Sequence, residues 1–123
     1  LHGRKYRCAM DPTPATLAES LAEARARTRA LFDAFGAALP GWDARYAPEI
    51  DPPLWLFGHL AWREELWIAR NPRRLQGAPG EARAAACLPH ADARYDPAQV
   101  APTRRWHVDL PGPDGTLRYL ARV

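Results

Sequence analysis

The chain has 123 residues, 47% of them hydrophobic and 25% charged, with a net charge of +3. That length suits one modest domain, and the composition is that of a folded rather than a disordered chain. The basic residues are scattered, with no run of five like charges, so the sequence shows no nucleic-acid-binding tail and no nucleic-acid partner is expected. No apolar run reaches the roughly 18 residues needed to span a bilayer, so no membrane partner is expected either. Two cysteines, Cys8 and Cys87, lie far apart with no CxxC pair, which points to a reducing cytoplasm.

The first segment, "LHGRKYRCAM", is basic and lacks the apolar core of a secretory signal. Met10 is a natural start, so residues 1–12 are read as a leader or upstream remnant outside the fold. Helix one is expected over about 14–39. Thr13 serves as N-cap with Pro14 at the first helical position, and a Thr16/Glu19 capping box is the alternative. Leu17, Leu21, Ala24, Thr28, Leu31 and Phe35 recur at spacings of three and four, a stripe suited to a bundle. Pro40-Gly41 stops it.

Helix two is expected over about 52–70, capped by Asp51, with Pro52 at its first position and Asn71-Pro72 at its end. Its apolar residues (Leu54 to Phe57, Leu60, Trp62, Leu66 to Ile68) cover most of the circumference, so the helix should be buried on more than one side. Residues 72–114 are rich in Pro, Gly and Ala and read as a long irregular connection, with a turn near Pro97 to Val100. Tyr95, Trp106 and Leu110 are its expected anchors. Connections this long are commonly functional. A third helix is expected over 116–123, capped by Thr116, and the sequence stops inside it.

The chemically informative residue is His59. On a helical wheel Trp55, Leu56, Trp62, Arg63 and Leu66 surround it. An unpartnered imidazole in that collar would cost a few kcal/mol, so it needs a partner. The bland partner is a backbone carbonyl or carboxylate. The functional one is a metal on one ring nitrogen, with an acceptor fixing the other. A metal site needs further ligands, and no HxxxH or HxxE pair is present to supply them.

Two segments resemble a known family. "PPLWLFGHLAWREELWIARNP" is similar to the "PPLWxLGHxAWFxExWxxRN"-like helix in the N-terminal DinB-like domain of the ergothioneine-biosynthesis sulfoxide synthases, and still more to that of the selenoneine synthases. "LPHADARYDPAQVAPTRRWHVDLPGPDGTLRYL" resembles the downstream "LPxADxLYxSxxVxHxTRWxLPLP…TxxYL" pattern of the same proteins. The resemblance runs from about Ala15 to Val123. It implies an all-α, DinB-like four-helix bundle, here partial (13–123) and truncated after the start of helix three. In full-length members a formylglycine-generating-enzyme-like domain follows the bundle.

The resemblance further implies a mononuclear non-haem Fe(II) held by three histidines. His59 matches the first; the HxxxH pair that supplies the others is not in this sequence, so the site is incomplete and the fragment inactive alone. The implied reaction joins sulfur or selenium, from a small thiol or selenol donor, to the imidazole of trimethylhistidine, using O2. Arg105 matches the family's "TRW" arginine, whose implied role is to bind the donor's carboxylate. Glu65 matches a helix-two carboxylate, read as a partner of His59 or Arg105 behind the metal, or as a solvated charge. Arg63, Leu66, Asp96-Pro97-Ala98 and Pro102 depart from the pattern. A cation at Arg63 would disfavour a nearby metal unless Glu64 or Glu65 pairs with it. Two alternatives stay open: a stand-alone DinB-like module that binds a partner or a small thiol without redox chemistry, and a DinB-like thiol transferase.

Overall fold

A computed structural model describes residues 12–71 and 84–123. Residues 1–11 of the expected leader and the first part of the expected irregular connection, residues 72–83, lie outside the described residues. The regular secondary structure of the described residues is all helical, with no strand, in keeping with an all-α, DinB-like bundle. The elements are α1 (Pro14–Ala38), a 3-10 turn (Pro40–Trp42), α2 (Pro53–Trp67), α3 (Ala91–Tyr95), a second 3-10 turn (Pro102–Trp106) and α4 (Pro113–Arg122). None is long and apolar enough to cross a membrane. The chain divides into two compact units, Leu1–Ala37 and Ala38–Val123.

In the first unit, Thr13 caps α1: its Oγ1 accepts the Thr16 N–H (3.2 Å) and its carbonyl accepts the Leu17 N–H (3.0 Å). The surface carries i,i+4 ion pairs, Glu23 with Arg27 and Asp33 with Arg29, each worth a few tenths of a kcal/mol. The expected buried stripe is not found. Leu17 and Leu31 are more than half exposed, and Phe32 is the buried residue of α1. Periodicity marks the side a helix is able to bury; it does not supply the facing surface.

The second unit is organised around α2, which packs against α3 and α4. Trp55, Ala61, Trp62 and Leu66 of α2 form one core with Ala91 and Tyr95 of α3 and Tyr119 of α4. Leu110 packs against that core, while Trp106 donates to the Ile50 carbonyl (3.2 Å) and meets the Tyr46 ring edge-on. Burial of α2 is less complete than its composition suggests, since Leu56, Leu60 and Trp67 are each about 40% exposed.

The caps differ from expectation. Pro52 is the N-cap of α2, with Pro53 at its first position and no side-chain cap; Asp51 instead pairs with Arg105. The helix ends at Trp67 rather than Arg70, because the Arg70 N–H turns back to the Glu65 carbonyl (2.9 Å), one residue beyond the α-helical partner. α4 starts at Pro113 behind Gly112. Thr116 is therefore inside the helix, fully buried, its hydroxyl donating to the Pro111 carbonyl (3.3 Å). Within the connection expected to be irregular, residues 91–95 form α3, one short helix past the left-handed His90.

Candidate metal-ligand site

His59 sits mid-helix on the face of α2 that also presents Trp55 and Trp62, one turn to either side. Its imidazole is half-buried between their rings: nearly parallel to Trp55 (8°, centroids 4.8 Å apart) and to Trp62 (22°, 5.7 Å). Nδ1 lies 2.9 Å from the Tyr95 carbonyl oxygen. A carbonyl only accepts, so Nδ1 carries the proton, and in the neutral ring Nε2 is left with its lone pair. No hydrogen bond to Nε2 is formed among the described residues. The backbone carbonyl named as the bland partner is thus present, and it leaves the second nitrogen in the form a metal ion takes.

Three hydrogen bonds tie α3 to this face. Trp62 Nε1 donates to Asp92 Oδ1 (2.7 Å), Trp55 Nε1 to the Arg94 carbonyl (2.7 Å) and His59 Nδ1 to the Tyr95 carbonyl. Gly58 makes the close approach possible, because a Cβ there would fall under 3.0 Å from the Tyr95 ring atoms Cε1 and Cζ and from its hydroxyl. Asp92 is itself held by Arg70, whose guanidinium reaches both carboxylate oxygens (2.7 and 2.8 Å) while Nε donates to the Ala84 carbonyl (2.8 Å). That bidentate bond is the largest reason the Arg70 pKa is raised, and the side chain is charged although only 5% exposed.

Arg105 joins the same cluster from the second 3-10 turn. Its guanidinium lies over the Trp55 ring at 4.1 Å; Nη1 donates to Asp51 Oδ1 (2.9 Å) and Nε to the Val100 carbonyl (3.2 Å). His59 and Arg105 are therefore brought together through one indole. Nη2 is the part of the fork that makes no hydrogen bond among the described residues.

Glu65 is not brought to them. It is 3% exposed; one carboxylate oxygen accepts the Cys87 N–H (2.6 Å) and the other the Tyr119 hydroxyl (2.6 Å). It ties α2 to α4 and to the segment before α3. Burial, and then the Glu65 carboxylate, push the Tyr119 pKa well up. The same two causes raise the Cys87 thiol. Tyr95 is pushed up to about 12 by burial, and its fully buried hydroxyl has no hydrogen-bond partner among the described residues. Arg63 is exposed and forms no ion pair among the described residues. No group of three His, Cys, Asp or Glu able to hold a metal ion occurs among the described residues.

Sequence reasoning missed the pairs Arg70–Asp92 and Asp51–Arg105. Asp51 looked like a cap because Asp before Pro-Pro is a common helix start. The signal for Asp92 was available: an acid inside "ADARY", a stretch belonging to the second motif.

Comparison with curated proteins gives one name. Three hercynine oxygenases are similar to this chain. They come from Mycolicibacterium smegmatis (34% identical over 110 residues), Mycobacterium tuberculosis (34% over 112) and Mycolicibacterium thermoresistibile (33% over 114). The similarity covers 88, 90 and 91% of this chain but only 23, 24 and 23% of those proteins, so the chain spans about a quarter of their length. The likeness supports the ergothioneine-related family suggested by the two motifs, without singling out the synthase. No family model matches the chain.

Proposed function

We propose that this chain is the N-terminal part of a non-haem iron synthase that joins sulfur or selenium to the ring of trimethylhistidine, and that His59 is one of its three iron ligands. The observation that carries the reading is the geometry of His59: Nδ1 bound to a main-chain carbonyl, and Nε2 without a hydrogen bond among the described residues. Hercynine is N-trimethylated histidine, so the name borne by the similar proteins agrees with the substrate implied by the motifs. His59 fits Fe(II) as a single neutral donor. The described residues supply no group of three; in this reading the other two histidines are those of the HxxxH helix that the family resemblance implies. Iron bound there would supply the handling of O2.

The remaining roles belong to this chain. Trp55 and Trp62 sandwich the imidazole, keep water from its faces and hold its plane. The Tyr95 carbonyl keeps the proton on Nδ1. Arg105, fixed by Asp51, Val100 and the Trp55 face, offers Nη2 to the carboxylate of a thiol or selenol donor. The catalytic chemistry then falls to the formylglycine-generating-enzyme-like domain that follows.

The test is a polypeptide extended through the HxxxH helix and that domain, assayed with trimethylhistidine, a thiol or selenol donor, Fe(II) and O2. A C–S or C–Se product that disappears in His59→Ala supports the reading; no product from wild type with either donor contradicts it. The rival reading is a stand-alone DinB-like helical module that binds a partner or a small thiol without redox catalysis. It wins if the reading frame stops at Val123.

A further inference from the structure

We propose that the ion pair of buried Arg70 with the partly exposed Asp92 is the positioning device of His59: it docks α3 on α2 so that the Tyr95 carbonyl, three residues along from Asp92, captures the Nδ1 proton. The inference deepens the reading of His59 as a ligand and rests on it for its purpose, though not for its geometry. A five-residue helix is too short to be stable by itself. Its place on α2 is set by what holds it, and the polar hold is concentrated on Asp92. Oδ1 of Asp92 accepts from both Trp62 Nε1 and Arg70 Nη1, while Oδ2 accepts from Arg70 Nη2. Arg70 is in turn fixed by its Nε bond to the Ala84 carbonyl. Trp62, gripped through its indole N–H, is also one wall of the imidazole sandwich.

The same ion pair therefore sets both the carbonyl that chooses the tautomer and a ring that sets the plane. The alternative acceptors near α2 do not compete, because Glu65 is committed to Cys87 and Tyr119. Neither Arg70 nor Asp92 is placed to touch His59 itself; both act through α3. A purely structural ion pair would alter stability and leave the imidazole tautomer alone, so the tautomer is the readout that separates the two.

The experiment is 15N NMR of the histidine rings in the 123-residue chain, recorded well above the ordinary imidazole pKa, with His59→Gln assigning the resonance. Wild type should show the Nδ1–H form. Asp92→Asn, which keeps one acceptor for Trp62 but loses the bidentate charge pair, should shift the Nδ1–H to Nε2–H ratio roughly five-fold toward Nε2–H, the effect of losing one ordinary hydrogen bond. Arg70→Lys keeps the charge and should restore part of the wild-type ratio relative to Arg70→Met. Glu65→Gln, at a more deeply buried carboxylate tied to α4, should leave the ratio unchanged.

An Asp92→Asn chain with wild-type circular dichroism and an unchanged ratio would overturn the proposal, as would an equal shift in Glu65→Gln. If Asp92→Asn does not fold, Arg70→Lys against Arg70→Met decides: equal ratios overturn it, and unequal ones support it. The readout needs no metal. Loss of the ligand role in the extended protein would leave a positive tautomer result standing, and the two failures are thereby separable.

Discussion

Gly58→Ala isolates the contact on which the site geometry depends. In a helix interior this change normally gains about 1 kcal/mol, because alanine is the better helix former. Here the added Cβ would fall under 3.0 Å from three atoms of the Tyr95 side chain. The ring has nowhere to retreat: Tyr95 is fully buried and its other neighbour is the Tyr119 ring, stacked at 6.0 Å. Overpacking of that kind costs about 1–3 kcal/mol, and more when a rigid aromatic must move. The expected net effect is a loss of about 1–2 kcal/mol, which lowers the melting temperature by roughly 4–8 °C per kcal/mol in a chain of this size. Urea unfolding followed by tryptophan fluorescence measures it. The companion Gly58→Ala/Tyr95→Leu should recover part of the loss, giving a favourable coupling in the double-mutant cycle. Stabilisation by about 1 kcal/mol in the single variant would refute the reasoning, since it would mean that Tyr95 does not lie across Gly58.

Other outcomes follow from the same contacts. Tyr95→Phe removes a buried hydroxyl without a partner among the described residues and should leave stability unchanged or raise it by up to about 1 kcal/mol; a loss above about 1 kcal/mol in calorimetry would reveal a hidden partner. Tyr95 and Tyr119 both have raised folded-state pKa values, Tyr95 about 12. Below pH ~10 both are protonated in both states; above it the unfolded chain sheds protons first, so stability falls with pH by about 2.7 kcal/mol per unit until the folded tyrosines titrate. Alkaline denaturation in a Cys87→Ser background should show that slope, and a flat profile from pH 10 to 11.5 would contradict it. Glu65→Gln sets an amide where two donors need acceptors and should cost about 1–3 kcal/mol in urea melts. Arg105→Met should raise KM for the thiol or selenol donor in the extended enzyme at least ten-fold while leaving KM for trimethylhistidine within two-fold; equal effects on both would remove Arg105 from the donor site.

The all-helical class was legible because α1 and α2 are long, with Pro and capping signals at their starts. His59 was legible as a polar residue that needed a partner, and one that matched a motif. Which partner it takes was not, because Tyr95 O lies 36 residues away on a helix of five residues, too short to show a period. The roles of Asp51 and Glu65 were unreadable for a similar reason. A carboxylate near a helix end suits a cap, an ion pair or a buried acceptor equally well, and the choice is made by residues 54 positions away: Arg105 for Asp51, Tyr119 for Glu65. The exposed leucines of α1 show the converse, a pattern legible in sequence whose burial depends on a surface outside its own periodicity.

The central claim concerns Nε2 of His59. Anaerobic Fe(II) titration, run on a polypeptide extended through the HxxxH helix and the following domain, with His59→Ala alongside, tests it most directly. Tight one-to-one binding in the extended protein, lost in His59→Ala and absent from the 123-residue chain, is the predicted result. Unchanged binding in the His59→Ala protein, or tight binding by the 123-residue chain alone, would contradict it.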